Sequence, residues 1–303
     1  MSEQLSRGHL RARYVFTGKL GLETALHIGG GRDQPGASDS PVIRDPLGQP
    51  FVPGSSFKGA FRAAVERLLP NLAHLGLRTC ALARELRDCL TAQEQTLGAD
   101  YRTVSGAIGR TLRESDTEVL AALGRLDERL PIGTKISDIV LLRLLDRWLC
   151  DTCKVFGSPF LAATAHFTDL AVVESWYDLI QVRDGVGIDR DSERARDRIK
   201  YDFEAVPPGT AFAFKLTLEN PGPHDLGLVA IGLQEFVNGM VPLGGIRSRG
   251  LGRCRLEGLQ VQKMDFADGQ ALRNYLTGHP PAEQDAGPVL ASAVERLLNG
   301  QED

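Results

Sequence analysis

Apolar and β-forming residues alternate in part through residues 11 to 28, RARYVFTGKLGLETALHI, and the run stops at Gly29, Gly30 and Gly31. That pattern predicts a strand or bent hairpin. From Gly29 to Pro50 the chain is dense in Gly, Pro, Asp and Ser, and a loop of that length inside a compact domain is usually functional or disordered. Beyond Pro53 and Gly54, Ser55 or Ser56 can cap a helix in which Phe57, Phe61, Ala64, Val65 and Leu68 recur at helical spacing. Such a helix packs its apolar stripe on a sheet. Residues 80 to 150 read as mostly helical, with leucine-rich stretches such as ISDIVLLRLLDRWLC, and form an insertion. Residues 164 to 183 and 203 to 219 read as strands, the second alternating Phe212, Phe214 and Leu216 with smaller or polar neighbours. A helix is then expected in DLGLVAIGLQEFVNGM, followed by a glycine-arginine turn and the strand CRLEGLQVQKM.

The predicted order is strand, helix, two strands, helix, strand. It points to an α+β, ferredoxin-like βαββαβ core of the RNA-recognition type, although a fold by itself does not set a function. One domain is expected over residues 1 to 268, with a helical insertion at 74–157 and a hairpin at 183–203, followed by an acidic helical tail at 269–303.

The 303 residues suffice to bury a sizeable core, and 42% hydrophobic with 24% charged residues is ordinary for a globular chain. Neither a secretory leader nor a membrane-length apolar stretch is evident, so a cytoplasmic location is expected. The net charge of −4 is unlike a nucleic-acid binder, but its distribution changes that picture. Glu283, Asp285, Glu295, Glu302 and Asp303 face Arg296 alone in the last stretch, which leaves the rest of the chain near neutral. Arg247, Arg249, Arg253 and Arg255 then stand out within GGIRSRGLGRCR, beginning at Gly244 and Gly245. Arginine offers phosphate a fork of donors and glycine lets the backbone approach closely, so the run suits a phosphate chain; it also suits a decorated turn.

Other chemistry is local. PGSSFKGAFR places Ser55, Ser56, Lys58 and Arg62 at or near a helix start, where unpaired N–H groups favour an anion. Cys150 and Cys153 form a CxxC, which in a reducing compartment suggests structural zinc, with Cys80 and Cys89 as the remaining ligands and His74 as a substitute. Residues 183 to 202 mix six basic with six acidic side chains and read, alone, as a solvated hairpin.

Four segments taken together carry a resemblance: LHIGGG at Leu26, DSPVIRDPLGQPFVPGSSFKGAFR from Asp39, CDTCKVFGS at Cys150 and GGIRSRGLGRCRL at Gly244. Their order resembles the backbone RAMP subunits of type III CRISPR effector complexes, over residues 11 to 263. The resemblance implies a subunit that binds guide RNA, stacks with further copies of itself or related RAMP subunits, and presents Asp39 to a paired, complementary target RNA. Partners would include other type III subunits, among them the large polymerase-like one, and no membrane. The implied chemistry is attack of a ribose 2′-hydroxyl on the adjacent phosphate with magnesium or another divalent ion. Aspartate is a weak base for a hydroxyl, so metal binding or alignment stands beside proton abstraction. Asp33 ranks below Asp39, Asp45 reads as a turn former, and His27 as a packed ring. The hairpin is implied to wedge into the duplex, with Ile188 as wedge and Arg194, Arg196 and Arg198 as backbone contacts. Two alternatives stay open: a non-cutting RNA-binding subunit, or an enzyme that processes guide precursors using His27.

Overall fold

The structure, a computed structural model, describes residues 9–30, 38–80, 149–158, 161–173, 179–188, 195–222 and 224–300, with side chains left out at 186–188 and 195–200. It falls into two compact units, one formed by Met1–His9 with Leu69–Thr164, the other by Leu10–Leu68 with Ala165–Asp303. Most of the expected helical insertion, Cys89, Arg194 and Asp33 lie outside the described residues.

The larger unit is built on an antiparallel sheet. Strand β1 (Ala12–Leu22) starts it, and β2 (Phe51–Val52) leads into helix α1 (Gly54–Leu68). In the smaller unit, a 3₁₀ turn at Leu69–Leu75 and the short helix α2 (Asp151–Phe156) are described. The chain returns to the larger unit with β3 (Ala165–Phe167), β4 (Leu170–Ala171), β5 (Gln181–Ile188), β6 (Ala195–Ala205) and β7 (Ala211–Glu219). Helix α3 (Asp225–Val237), β8 (Cys254–Asp265), α4 (Gly269–Leu276), β9 (Gln284–Asp285) and α5 (Gly287–Asn299) complete it. The main sheet runs β3-β7-β1-β8-β9, all neighbours antiparallel, while β5 and β6 pair with each other. This is a mixed α/β fold.

Period-two alternation explains the sheet. Phe212, Phe214, Leu216 and Leu218 of β7 all face inward and are buried. Between β1 and β8 the register slips by one residue, from Thr17↔Gln260 to Lys19↔Glu257. Gly258, at φ +59°, sits in the extra position, so the bulge keeps Leu256 and Leu259 both on the buried side. Two helices cover that face. Phe57 of α1 meets Phe236 of α3 with ring centroids 4.5 Å apart and Phe214 of β7 at 5.3 Å, and Phe61 stacks on Phe236 at 5.8 Å. A Cβ on Gly232 would overlap the Phe61 ring, so glycine there sets how closely α3 approaches α1.

Two expectations need correction. The strand foreseen over 203–219 is two strands, because Val206–Thr210 contains Pro207, Pro208 and a left-handed Gly209 and turns the chain between β6 and β7. The strand foreseen from 164 to 183 is likewise the separate pieces β3, β4 and the start of β5. Beyond residue 268 the chain is part of the same unit: β9 pairs with β8, and Leu297 of α5 packs against Gly227 of α3. Among the described residues no helix is long and apolar enough to cross a membrane.

Candidate nucleic-acid interface

Five residues at the root of β6 organise the site. Successive strand residues point to opposite faces, so Tyr201 and Phe203 share one side and Asp202 and Glu204 the other. On the first side, Phe203, Ala205, Ala25 and Leu251 form a buried cluster that Tyr201 and Ile246 pack against. Tyr201 lies across from Gly185 of β5, where a Cβ would overlap its ring. Its hydroxyl accepts a 2.6 Å hydrogen bond from Arg249 Nη1.

The other side holds the loop bearing Asp39. Asp39 N–H donates to Asp202 Oδ1 at 2.6 Å, and Asp202 N–H donates to Asp39 Oδ2 at 3.1 Å. Glu204 N–H donates to the Ser40 carbonyl at 3.0 Å, while Glu204 Oε2 accepts from Val42 N–H at 3.1 Å and pairs with Arg44 at 2.7 Å. The loop is therefore clasped to the strand largely by carboxylates standing where carbonyls would stand in a ladder. Asp39 itself is exposed. Asp184 faces Asp202 in the β5–β6 register, and like charges directly opposite on a sheet are unfavourable.

His27 joins this loop to the glycine-arginine turn. Its ring is 8% exposed, and Nδ1 lies 2.7 Å from the Glu204 carbonyl, which can only accept, so Nδ1 carries the proton. Nε2 lies 3.3 Å from the Ser40 hydroxyl. The His27 carbonyl accepts from Gly245 N–H at 2.8 Å. Gly244, at φ +74°, must be glycine because a Cβ would overlap that same carbonyl. A 3₁₀ turn, Arg247–Arg249, follows, with both arginines exposed. Arg253 and Arg255 converge on Glu23 at 3.7 and 3.1 Å. Arg196 and Arg198 lie on β6, further along the same strand.

The start of α1 differs from the sequence picture. Gly54 N–H donates to Asp169 Oδ1 at 2.7 Å, so the protein supplies its own anion to one of the N–H groups expected to meet phosphate. Ser55 and Ser56 are exposed beside it. Lys58 is held below the ordinary lysine range by burial and then by the nearby Arg62 charge. Arg62 is committed along the helix to Glu66 at 2.7 Å. Sequence reasoning missed Asp169, Asp202 and Glu204, each of which reaches a backbone N–H more than a hundred residues away in the chain.

In the smaller unit, Cys80, Cys150 and Cys153 place their Sγ atoms within 4.8 Å of one another, Cys80 and Cys153 at 3.6 Å. The backbones around them are tied as well: Asp151 N–H donates to the Arg78 carbonyl at 3.0 Å and Arg78 N–H to the Asp151 carboxylate at 2.7 Å. The group could hold a metal ion. His74 is exposed and outside it, and Cys89 lies outside the described residues. Cys254 is a different case: burial, then Glu23, pushes its thiol up to about 12, and its Sγ is 3.5 Å from the Val241 carbonyl.

The family model for the RAMP superfamily matches residues 19–255. A protein of Methanothermobacter thermautotrophicus named CRISPR system Cms endoribonuclease Csm3 is 41% identical over 70 residues, 22% of this chain and 29% of that protein. Proteins of the same name from Methanocaldococcus jannaschii and Enterococcus italicus are 45% identical over 60 residues and 46% identical over 65, covering 24% and 28% of those proteins. The matched stretches thus span less than a third of these curated relatives.

Proposed function

The chain belongs to the RAMP superfamily, and from that premise we propose that it is a repeating backbone subunit of a type III CRISPR ribonucleoprotein that binds guide RNA and cuts the paired target. One observation carries the reading: Asp39 is exposed yet pinned through its own N–H, on a loop joined through His27 to an exposed arginine turn. That combination is what a backbone-reading cutter needs, a fixed carboxylate beside donors for phosphate. The names of the relatives point the same way.

The proposed reaction is transesterification. A ribose 2′-oxygen attacks the adjacent phosphorus, the 5′-oxygen leaves, and the products are a cyclic phosphate and a 5′-hydroxyl. Asp39 aligns the attacking hydroxyl or accepts its proton. Asp39 offers a carboxylate oxygen of the kind magnesium takes in small numbers, and when bound the ion would neutralise charge on the phosphate. His27 is a packing and orienting ring here, since its nitrogens are engaged with Glu204 and Ser40, which disfavours the guide-precursor reading.

Arg247, Arg249 and Arg253, with Gly244 and Gly245, are the proposed guide contacts of the turn; Ser55, Ser56 and Lys58 flank a second. Arg62, engaged with Glu66, acts through helix packing. The order β3-β7-β1-β8 with two covering helices supports a ferredoxin-like core, and the β5–β6 pair supports the wedge role, with Arg196 and Arg198 on β6 as proposed backbone contacts. Zinc fits the cysteine group. Tetrahedral zinc with sulfur at about 2.3 Å sets neighbouring sulfurs about 3.8 Å apart, near the observed 3.6 Å. Cys89 is the proposed fourth ligand.

Labelled complementary RNA incubated with the reconstituted complex and magnesium tests the reading. Evenly spaced cuts with 5′-hydroxyl ends are expected; 5′-phosphate ends or intact RNA would overturn it.

A further inference from the structure

Asp39 does not hold its own position. Its loop touches β6 through five polar bonds, and the two nearest Asp39 are reciprocal: each aspartate's carboxylate accepts the other's N–H, at 2.6 and 3.1 Å. A reciprocal pair fixes more than a single bond does. Because Asp202 captures the Asp39 N–H and Asp39 returns the bond with Oδ2, the side-chain torsion of Asp39 is set, and Oδ1 takes no part in the pair. Asp202 in turn is backed by the strand: its neighbours Tyr201 and Phe203 are packed on the opposite face, and Glu204 locks the next turn of the loop at Val42 and Arg44.

Resting on the reading of Asp39 above, we infer that Asp202 is a positioning residue that aims the Asp39 carboxylate through the hydrogen bond it accepts. The same bond couples Asp39 to the β5–β6 pair, of which Asp202 is a member. Displacement of the pair shifts the carboxylate with it. The competing role is charge: Asp202, with Asp184 opposite, could act as a negative group rather than as an acceptor of a particular N–H.

Three substitutions separate these roles in the reconstituted complex, read by single-turnover target cleavage and by target binding. Asp202→Asn keeps an acceptor oxygen in place and removes the charge; Asp202→Ala removes both; Asp202→Glu keeps the charge and moves the acceptor. Misplacing a reacting group by about 1 Å lowers a rate up to about 100-fold, so Ala is expected to slow cleavage roughly 10- to 100-fold with binding unchanged. Asn is expected to stay within about threefold of the unsubstituted chain, and Glu to fall below Asn. Where the Ala chain does not assemble, the Asn and Glu chains decide alone. Asn cleaving as slowly as Ala, or no faster than Glu, overturns the inference, as does full cleavage by Ala. Asp39→Ala runs beside them: if it cuts normally, the reading of Asp39 itself has failed, whereas a dead Asp39→Ala with a fully active Asp202→Ala sinks only the positioning role.

Discussion

Removing the Glu204 carboxylate is the sharpest structural perturbation of the Asp39 loop. Glu204 is 4% exposed and Val42 1% exposed, so in Glu204→Ala the Val42 N–H loses its acceptor at a place water does not reach. A buried donor left without a partner costs about 1–3 kcal/mol. The Arg44 side chain is 36% exposed and can rehydrate, so the lost ion pair adds no more than about 1 kcal/mol. The sum is about 1–4 kcal/mol against the closed loop. Hydrogen exchange followed by mass spectrometry reads this locally. At 1.4 kcal/mol per tenfold, amides of residues 42–44 are expected to exchange about 5- to 700-fold faster. Glu204→Gln, which keeps an acceptor for Val42, is expected to accelerate exchange far less. Equal protection in Glu204→Ala and the unsubstituted chain would refute the clasp.

Further outcomes follow from other parts of the molecule. Chain purified without chelator is expected to carry about one zinc by elemental analysis, lost in the Cys150→Ser, Cys153→Ser double variant. The Cys254 thiol, pushed up to about 12, is expected to resist alkylation at pH 8 until the protein unfolds, as peptide mapping would show. Because the folded state holds that proton more tightly, its stabilising effect is complete below the ordinary thiol range and is lost as pH rises towards about 12. Cys254→Ala is therefore expected to flatten the alkaline arm of a stability profile. Arg247→Ala is expected to weaken RNA binding regardless of sequence and to reduce the salt slope by about 1.

The elements whose evidence is local were legible. Phe57, Phe61, Ala64 and Val65 announced α1 by spacing, and all four are buried on it. The β7 alternation was equally plain. The turn at Pro207–Gly209 carried its signal too, but β-forming residues on both sides outweighed it. What stayed hidden depends on long-range pairing. Asp202 ends a stretch whose mixed charge reads as solvated and Glu204 follows in an expected strand, and nothing local distinguishes an acid facing water from one accepting Val42 N–H across the fold. The Asp169 bond to Gly54 is invisible for the same reason. The cysteines were readable because a metal demands a recurring ligand spacing. The two helices and short strand after residue 268 were read as an acidic helical tail, since their charge masked the apolar stripe of Leu290, Ala293 and Leu297 that α5 buries.

The central claim is that Asp39 faces the scissile linkage. Cleavage of labelled target by complexes carrying the unsubstituted chain or Asp39→Ala tests it most directly. Loss of the evenly spaced cuts with target binding unchanged is the predicted result; undiminished cutting by the Asp39→Ala complex would contradict it.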